Sequence, residues 1–320
     1  MTVIFVSTIG GHLSQLYALR PRFSDLGTDD IVWVTHDSPQ SRSLLKDEET
    51  EFVPYIDERD LAGVIRATAH ASRLIRRTEA DLVVSTGSAI ACAYLPMARM
   101  LGRDAAFIDS AAMVDGHTRT GRILERVPGV QLLTQSPATT EKRWRNCGSV
   151  FDGFQAACRP LDRPPKKLVV MVGTSTEFGF RSLLERLVTI LPDDLEVLWQ
   201  TGSTDVAGLP IDATPWLPAA ELESAIREAD LVISHAGGGS ALAALMNGHR
   251  PCLIPRRSSH GEFRDDHQFQ IAELLAAKNL AVNTAIQNLS WPELVELADW
   301  RVSPTQASND PITLRAHLDQ

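Results

Sequence analysis

The stretch Leu231-Val-Ile-Ser-His235-Ala-Gly237-Gly238-Gly239-Ser240 runs from an apolar segment into a histidine and three consecutive glycines, and an alanine- and leucine-rich segment follows. This pattern predicts a buried strand, a tight turn and a helix whose first amides have no intrahelical partner. Free amides at the positive end of a helix dipole suit a phosphate or diphosphate, and glycine lets the anion approach the backbone closely. Three glycines in a row exceed what chain reversal alone requires. Asn247-Gly248 offers the helix an end. A second polar cluster, Glu262-Phe-Arg-Asp-Asp266-His267-Gln268, is suited to holding hydroxyl groups beside such a diphosphate. Together the two clusters fit a nucleotide-sugar site.

Strand-like runs alternate with helical stretches along the chain. The runs are 3–7, 31–35, 82–85, 105–108 and 131–134, then 168–172, 196–200, 231–234 and 252–254. Alternation of this kind predicts an α/β fold with parallel sheets covered by helices. The prolines of Cys158-Arg-Pro160-Leu-Asp-Arg-Pro164-Pro165 interrupt regular structure, which places a boundary between a domain of residues 1–160 and one of residues 161–320. Both halves open alike, with a strand running into Gly10-Gly11-His12 in the first and into Gly173-Thr174-Ser175 in the second. Two Rossmann-like domains facing across a cleft would carry both turns at the carboxyl ends of their strands, where open α/β sheets bind ligands. Trp216, Trp291 and Trp300 invite an acceptor or membrane reading, but the helical spacing of Trp291–Trp300 favours packing for that stretch. The closing residues 303–320 are polar and proline-punctuated, with poor order expected.

The 320 residues carry a net charge of -9, which argues against general nucleic-acid binding. The charge is uneven: residues 1–160 hold 18 Lys+Arg against 19 Asp+Glu, leaving 13 against 21 for the rest. Arg66, Arg73, Arg76 and Arg77, and again Arg119, Arg122 and Arg126, form clusters suited to anionic headgroups or to a solvated helix face. No apolar run reaches the roughly 20 residues that span a bilayer, and Met1 leads straight into a strand-like run, so a cytoplasmic protein is expected. Cys92, Cys147, Cys158 and Cys252 lack paired spacing, which predicts reduced thiols and neither a zinc site nor a disulfide framework. The chain also lacks a dinucleotide G-x-G-x-x-G after either opening strand, a phosphate loop, a zinc helix and a nucleophile elbow. Nor is there an Asp-x-Asp pair to hold a metal on a diphosphate, so helix amides and basic side chains are left to stabilise a departing diphosphate.

In their order along the chain these motifs resemble the GT-B glycosyltransferases of the family 28 type. Val172-Gly173-Thr174, Ser234 through Ser240, Gly248-His-Arg-Pro251 and Asp266-His267-Gln268 look like the catalytic subunit of the two-subunit dolichol-linked N-acetylglucosamine transferase and like the C-terminal domain of lipid II synthase. Gly10-Gly11-His12, Ser85-Thr86-Gly87-Ser88, Phe107-Ile108-Asp109-Ser110 with Thr120-Gly121-Arg122, and Gln135-Ser136-Pro137 look like the acceptor-side, membrane-recruiting partner subunit. The segment from Pro255-Arg256 to Gln268 is most similar to bacterial exopolysaccharide transferases. The resemblance implies a fusion of the two parts: an inverting, metal-independent enzyme without cofactors, using a UDP-sugar donor and a polyprenyl-diphosphate-linked saccharide acceptor. It also implies a last helix that crosses back to the first domain. Two departures stand out. Ala243 occupies the place where the family commonly has an acidic residue for the ribose, and no membrane-spanning segment opens the chain, so membrane contact would be peripheral.

Within that reading the acceptor hydroxyl must lose a proton, and His12 is the leading base because a neutral imidazole near its reference pKa accepts a proton at cellular pH. Asp109, at a strand end, is the candidate to orient His12, to be the base itself, or simply to cap the following turn. Gly10, Gly11, Gly87, Ser88, Asp115, His117 and Arg119 are acceptor-side candidates. The donor-binding set is Gly173, Thr174, Ser175, His235, Gly237, Gly238, Gly239, Ser240, Arg256, Glu262, His267 and Gln268, with Arg256, Arg257 and His260 available to a sugar carboxylate. Alternatives are a transferase acting on a soluble small molecule, a nucleotide-sugar epimerase and a non-catalytic nucleotide-sugar sensor. The sequence is compatible with a homo-oligomer.

Overall fold

The computed structural model describes residues 1–23, 26, 30–57, 60–141, 143–173, 177–264, 266–305 and 311–314. They fall into two compact units, Met1–Asp152 with Gln306–Gln320, and Gly153–Thr305. Among the described residues no helix is long and apolar enough to cross a membrane.

The first unit is built on a parallel sheet of β1 (Thr2–Ser7), β2 (Asp30–His36), β3 (Thr50–Val53), β4 (Leu82–Gly87), β5 (Asp104–Ile108), β6 (Val130–Thr134) and β7 (Trp144–Asn146). Its spatial order is β3-β2-β1-β4-β5-β6-β7. The helices are α1 (Gly11–Leu19), α2 (Pro39–Leu44), α3 (Leu61–Arg77), α4 (Ala91–Met100) and α5 (Arg119–Leu124). The central strands read as continuous apolar runs because both faces are covered, and every residue of β4 is buried. One face packs Ile4, Val6, Val83 and Phe107 against Ala71 and Leu74 of α3 and Leu95 of α4. The chain leaves β1 in one direction and returns to β4 on its other side, so a topological switch point lies between their carboxyl ends. The amide of Thr8 donates to the Gly87 carbonyl there (2.8 Å) and joins the two loops.

The second unit repeats the plan. Strands β9 (Lys167–Met171), β10 (Glu196–Gln200), β11 (Ala213–Thr214), β12 (Leu231–His235), β13 (Cys252–Ile254) and β14 (Val282–Asn283) form a parallel sheet in the order β11-β10-β9-β12-β13-β14. The strands β8 (Phe154–Cys158) and β15 (Trp300–Pro304) make a separate antiparallel ribbon. Helices α6 (Arg181–Ile190), α7 (Ala219–Glu228), α8 (Gly238–Met246), α9 (His267–Ala277) and α10 (Trp291–Leu297) complete the unit. Asp230, just before β12, receives both arms of the Arg163 guanidinium (2.9 Å each) and the amides of Lys166 and Lys167 (2.7 and 3.0 Å).

All nine apolar runs are strands, within a residue or two at their ends. Three expectations are corrected. The division falls at 152/153 and not at 160/161, because residues 154–158 pair with β15 inside the second unit. Helical structure in the Trp291–Trp300 stretch stops at Leu297, and Trp300 opens β15. The last helix, α10, also stays with the second unit, where Leu294 and Leu297 join its core; beyond it the described residues 311–314 belong to the first unit. Of the closing residues, Ser303 and Pro304 belong to β15, while 306–310 and 315–320 lie outside the described residues. The four cysteines are free thiols, and burial pushes Cys92 and Cys147 up to about 11 and Cys252 up to about 12.

Candidate active site

In the second unit β12 ends on His235, and Gly237 turns the chain into α8 with no side chain capping the helix. The first intrahelical bond runs from the amide of Ala241 to the Gly237 carbonyl (2.9 Å). The amides of Gly238, Gly239 and Ser240 therefore precede the helical hydrogen-bond ladder, and these residues are only partly buried. A Cβ at Gly237 would lie 2.2 Å from His235 Nε2, so this glycine is demanded by space. The same holds for Gly173 after β9, which has φ +90° and whose added Cβ would come within 2.9 Å of the His235 ring. The two glycine turns thus close on one buried imidazole.

His235 donates from Nδ1 to the Met171 carbonyl (3.3 Å), which leaves Nε2 with its lone pair in the neutral ring. Burial, reinforced by the nearby Arg256 cation, pushes its pKa down to about 3. Arg256 is 1% exposed. Its guanidinium donates to the Val172 carbonyl, lies over the rings of Phe180 and Phe263, and leaves Nε without a hydrogen-bond partner among the described residues. Burial lowers Arg256 to about 10, so it keeps its charge at neutral pH. Its backbone amide donates to Gln268 Oε1 (3.0 Å), which ties the start of α9 to the loop after β13. Arg256 is thus a buried strut beneath the Gly173 turn, whereas Arg257 and His260 are exposed. Glu262 accepts from Ser182 Oγ and from the Arg257 amide, and so clamps the same loop onto α6. His267 is exposed at the first position of α9. Ala243 faces the apolar layer beside Val232, and the first turn of α8 carries no acidic residue. Thr174 and Ser175 lie outside the described residues.

In the first unit Gly10 (φ +80°) leads into α1, and His12 is the second residue of that helix. His12 Nδ1 donates to the Thr86 carbonyl (2.6 Å), while Thr86 Oγ1 donates to the His12 carbonyl (2.8 Å). With Nδ1 carrying the proton, the basic lone pair of the neutral ring is on Nε2. Gly87, at φ +108°, lies under this ring, where an added Cβ would come 3.2 Å from His12 Cε1. Ser88 follows, partly buried, and its carbonyl accepts from the amide of Ala91 at the start of α4 (3.1 Å).

Asp109 is not the partner that orients His12. It is 2% exposed, and its carboxylate accepts from the amides of Ser110 (3.0 Å) and Thr118 (3.1 Å) and from His117 Nδ1 (3.2 Å). His117 stacks on Trp144 with ring centroids 3.8 Å apart. Asp109 thereby pins both ends of the loop that presents exposed Asp115, and Arg119 is exposed at the start of α5. Sequence reasoning picked out Gln135 in a motif but missed Gln15 and the pairing of the two beneath this loop. Gln15 Oε1 accepts from the Ala111 amide (2.9 Å) and from Gln135 Nε2 (3.1 Å), and Gln135 also donates to the Asp109 carbonyl (2.9 Å). Two glutamines 120 residues apart offer no local signal.

Residues 167–296 match the glycosyltransferase family 28 C-terminal domain. The chain is 28% identical over 254 residues to the UDP-N-acetylglucosamine–N-acetylmuramyl-(pentapeptide) pyrophosphoryl-undecaprenol N-acetylglucosamine transferase of Chlorobium luteolum, covering 73% of this chain and 66% of that protein. It is 28% identical over 256 residues to the protein of the same name from a Synechococcus strain, with coverage of 76% and 69%. The match thus spans about two thirds of these relatives' length. Among solved structures, MurG of Acinetobacter baumannii aligns with a TM-score of 0.58 at 19% identity, over 93% of this chain and 94% of that one. The glycosyltransferase SnogD of Streptomyces nogalater gives the same score and identity, over 93% and 90%. The second unit thus carries a glycosyltransferase family 28 C-terminal domain, and the chain has the GT-B fold of two Rossmann-like sheets.

Proposed function

We propose that the protein transfers a sugar, with inversion at the anomeric carbon, from a UDP-sugar to a polyprenyl-diphosphate-linked saccharide in the assembly of a bacterial surface or secreted polysaccharide. The observation that carries this reading is the α8 start, where uncapped amides follow a glycine that no other residue can replace beside His235. Those amides and the helix dipole stabilise the diphosphate as its negative charge develops. The charged Arg256 lies beneath the neighbouring Gly173 turn and adds to the same field. In this reading no divalent cation is required. His12 Nε2 takes the proton of the acceptor hydroxyl, which attacks the anomeric carbon from the face opposite UDP; the C–O bond to the acceptor forms as the C–O bond to UDP breaks. The lipid-linked acceptor is supported by the pyrophosphoryl-undecaprenol in the names of the curated relatives.

Peripheral membrane contact is supported by the outer faces of α3 and α5. Leu61 and Ile65 are 77% and 70% exposed, and Ile123 is 49% exposed. The same helices carry exposed Arg66, Arg73, Arg76 and Arg77 on α3 and Arg119, Arg122 and Arg126 on or just beyond α5. Exposed aliphatics and arginines on the same helices suit an anionic bilayer surface, the cytoplasmic leaflet in this reading.

The test is release of UDP on incubation of the purified protein with a panel of UDP-sugars and bacterial membrane extract. Turnover that needs the extract and survives EDTA is the expected result. UDP release that proceeds equally without extract, or no binding of any uridine nucleotide by calorimetry, sinks the reading.

A further inference from the structure

The loops after β9, β10 and β13 enclose a groove of about 460 Å³ in the second unit, a size in the range of small-molecule sites. Its lining includes Ser182, Ser203, Thr204, Asp205, His260 and Glu262, and the rest is Arg181 and two glycines. No apolar side chain lines it among the described residues. That composition discriminates among ligands. A nucleobase or a lipid tail needs an apolar face, which the groove does not offer. A phosphate needs uncommitted positive charge, but the Arg181 guanidinium is taken up by Glu185 Oε1 (2.7 Å) and by the carbonyls of Asp205 and Ala207 (3.0 Å each). Two carboxylates would also repel an anion.

A polyol meets neither obstacle. Glu262 accepts from Ser182 Oγ and the Arg257 amide, and a carboxylate has about four acceptor positions, so it retains capacity for ligand hydroxyls. Thr204 Oγ1 accepts from the Phe180 amide (3.1 Å), which leaves its own proton to donate. Asp205 is bonded through Oδ1 to the Ala207 amide (2.9 Å), and its side chain is 77% exposed. His260, 60% exposed in its side chain, adds a ring that donates or accepts from the opposite loop. Hydroxyls, carboxylates and an imidazole in one groove match the alternating donors and acceptors of a pyranose ring.

We propose that this groove is a saccharide subsite, taking a hydroxyl-bearing sugar ring from either the donor or the acceptor. The inference rests on the transferase reading and adds to it the place where one sugar is held. Its test uses the full chain carrying Asp205→Asn together with His260→Ala, two exposed positions whose replacement spares the core. Thermal unfolding of the variant should match that of the parent protein. Steady-state kinetics should show KM raised at least tenfold for one sugar-bearing substrate, with UDP affinity within twofold. A rise against UDP-sugar assigns the groove to the donor's sugar, and a rise against membrane extract assigns it to the acceptor. Unchanged KM values for both, in a parent protein that turns over, overturn the subsite. If the parent protein releases no UDP, the transferase reading fails on its own, and saturation-transfer NMR with a panel of methyl pyranosides decides the groove. Transfer that the double variant abolishes upholds it, and no transfer in the parent protein overturns it.

Discussion

At the scale of single residues, His12 after β1 of the first unit and His235 at the end of β12 in the second have different chemistry because their surroundings differ. His235 is enclosed and held neutral down to a pKa of about 3, which suits a fixed wall for two glycine turns and not proton exchange near neutrality. His12 is only partly buried, and its Nδ1–H is committed to Thr86, so in the neutral ring the basic lone pair is on Nε2. His12→Ala should therefore lower kcat by about 10²–10⁴-fold, the usual contribution of a general base. Its UDP affinity, measured by calorimetry, should stay within twofold, because the proposed diphosphate site is built by the other unit. Turnover unchanged in that variant would remove His12 from the mechanism. The glycines and the histidines were legible from their order along the chain. Their support was legible only in part: Thr86 and Gln135 stood in recognisable motifs, but their pairing with His12 and Gln15 spans 74 and 120 residues and leaves no local signal. Asp109 was legible as a strand-end acid, but its true partners, His117 and the Thr118 amide, are set by how the loop folds back.

At the scale of elements, the apolar runs announced the central strands because a parallel strand covered on both faces has no polar side to alternate with. The short strands at the sheet edges gave no such signal. The strand sequences Thr50-Glu-Phe-Val53 and Trp144-Arg-Asn146 mix charge and apolar residues, as edge strands do to discourage further pairing. The helical spacing of Trp291–Trp300 misled beyond Leu297, where pairing with β8 overrides local periodicity. One acid does much to place β9 and β12. Burial by itself would raise Asp230, yet the Arg163 guanidinium and the amides of Lys166 and Lys167 outweigh it and hold the carboxyl below its ordinary range. Asp230→Asn removes a charged acceptor while those amides stay in place. It should cost about 1–3 kcal/mol of stability, by the usual penalty for disrupting buried charged hydrogen bonds, and chemical denaturation would measure it. A loss below about 0.5 kcal/mol would show that the proline linker holds the strand starts without it.

At the scale of the whole molecule, acid should be the protein's weak side. His235 and His249 are pushed down to about 3 and about 4, both chiefly by burial, from an ordinary value of 6.5. Between these values and 6.5 the unfolded chain binds protons that the folded chain refuses, so stability is complete above about pH 6.5 and declines as pH falls toward 4. The thermal midpoint should fall across that window, and His249→Gln should flatten the decline; an identical slope in the variant would exclude His249 as a source. The two-unit plan was legible in the repeated strand-to-glycine openings, whereas the neck was not, because β8 and β15 lie more than 140 residues apart in sequence. At that neck the Thr305 amide donates to the Gly153 carbonyl (2.8 Å), so the chain enters and leaves the second unit at one point. Beyond it the Ile312 amide meets the Arg22 carbonyl (2.6 Å), and Gln131 reaches the Thr313 carbonyl (3.2 Å). The second unit is therefore an insert spliced into the first, a cassette with adjoining ends. During synthesis the host half emerges first yet is sealed last, after its guest is already complete.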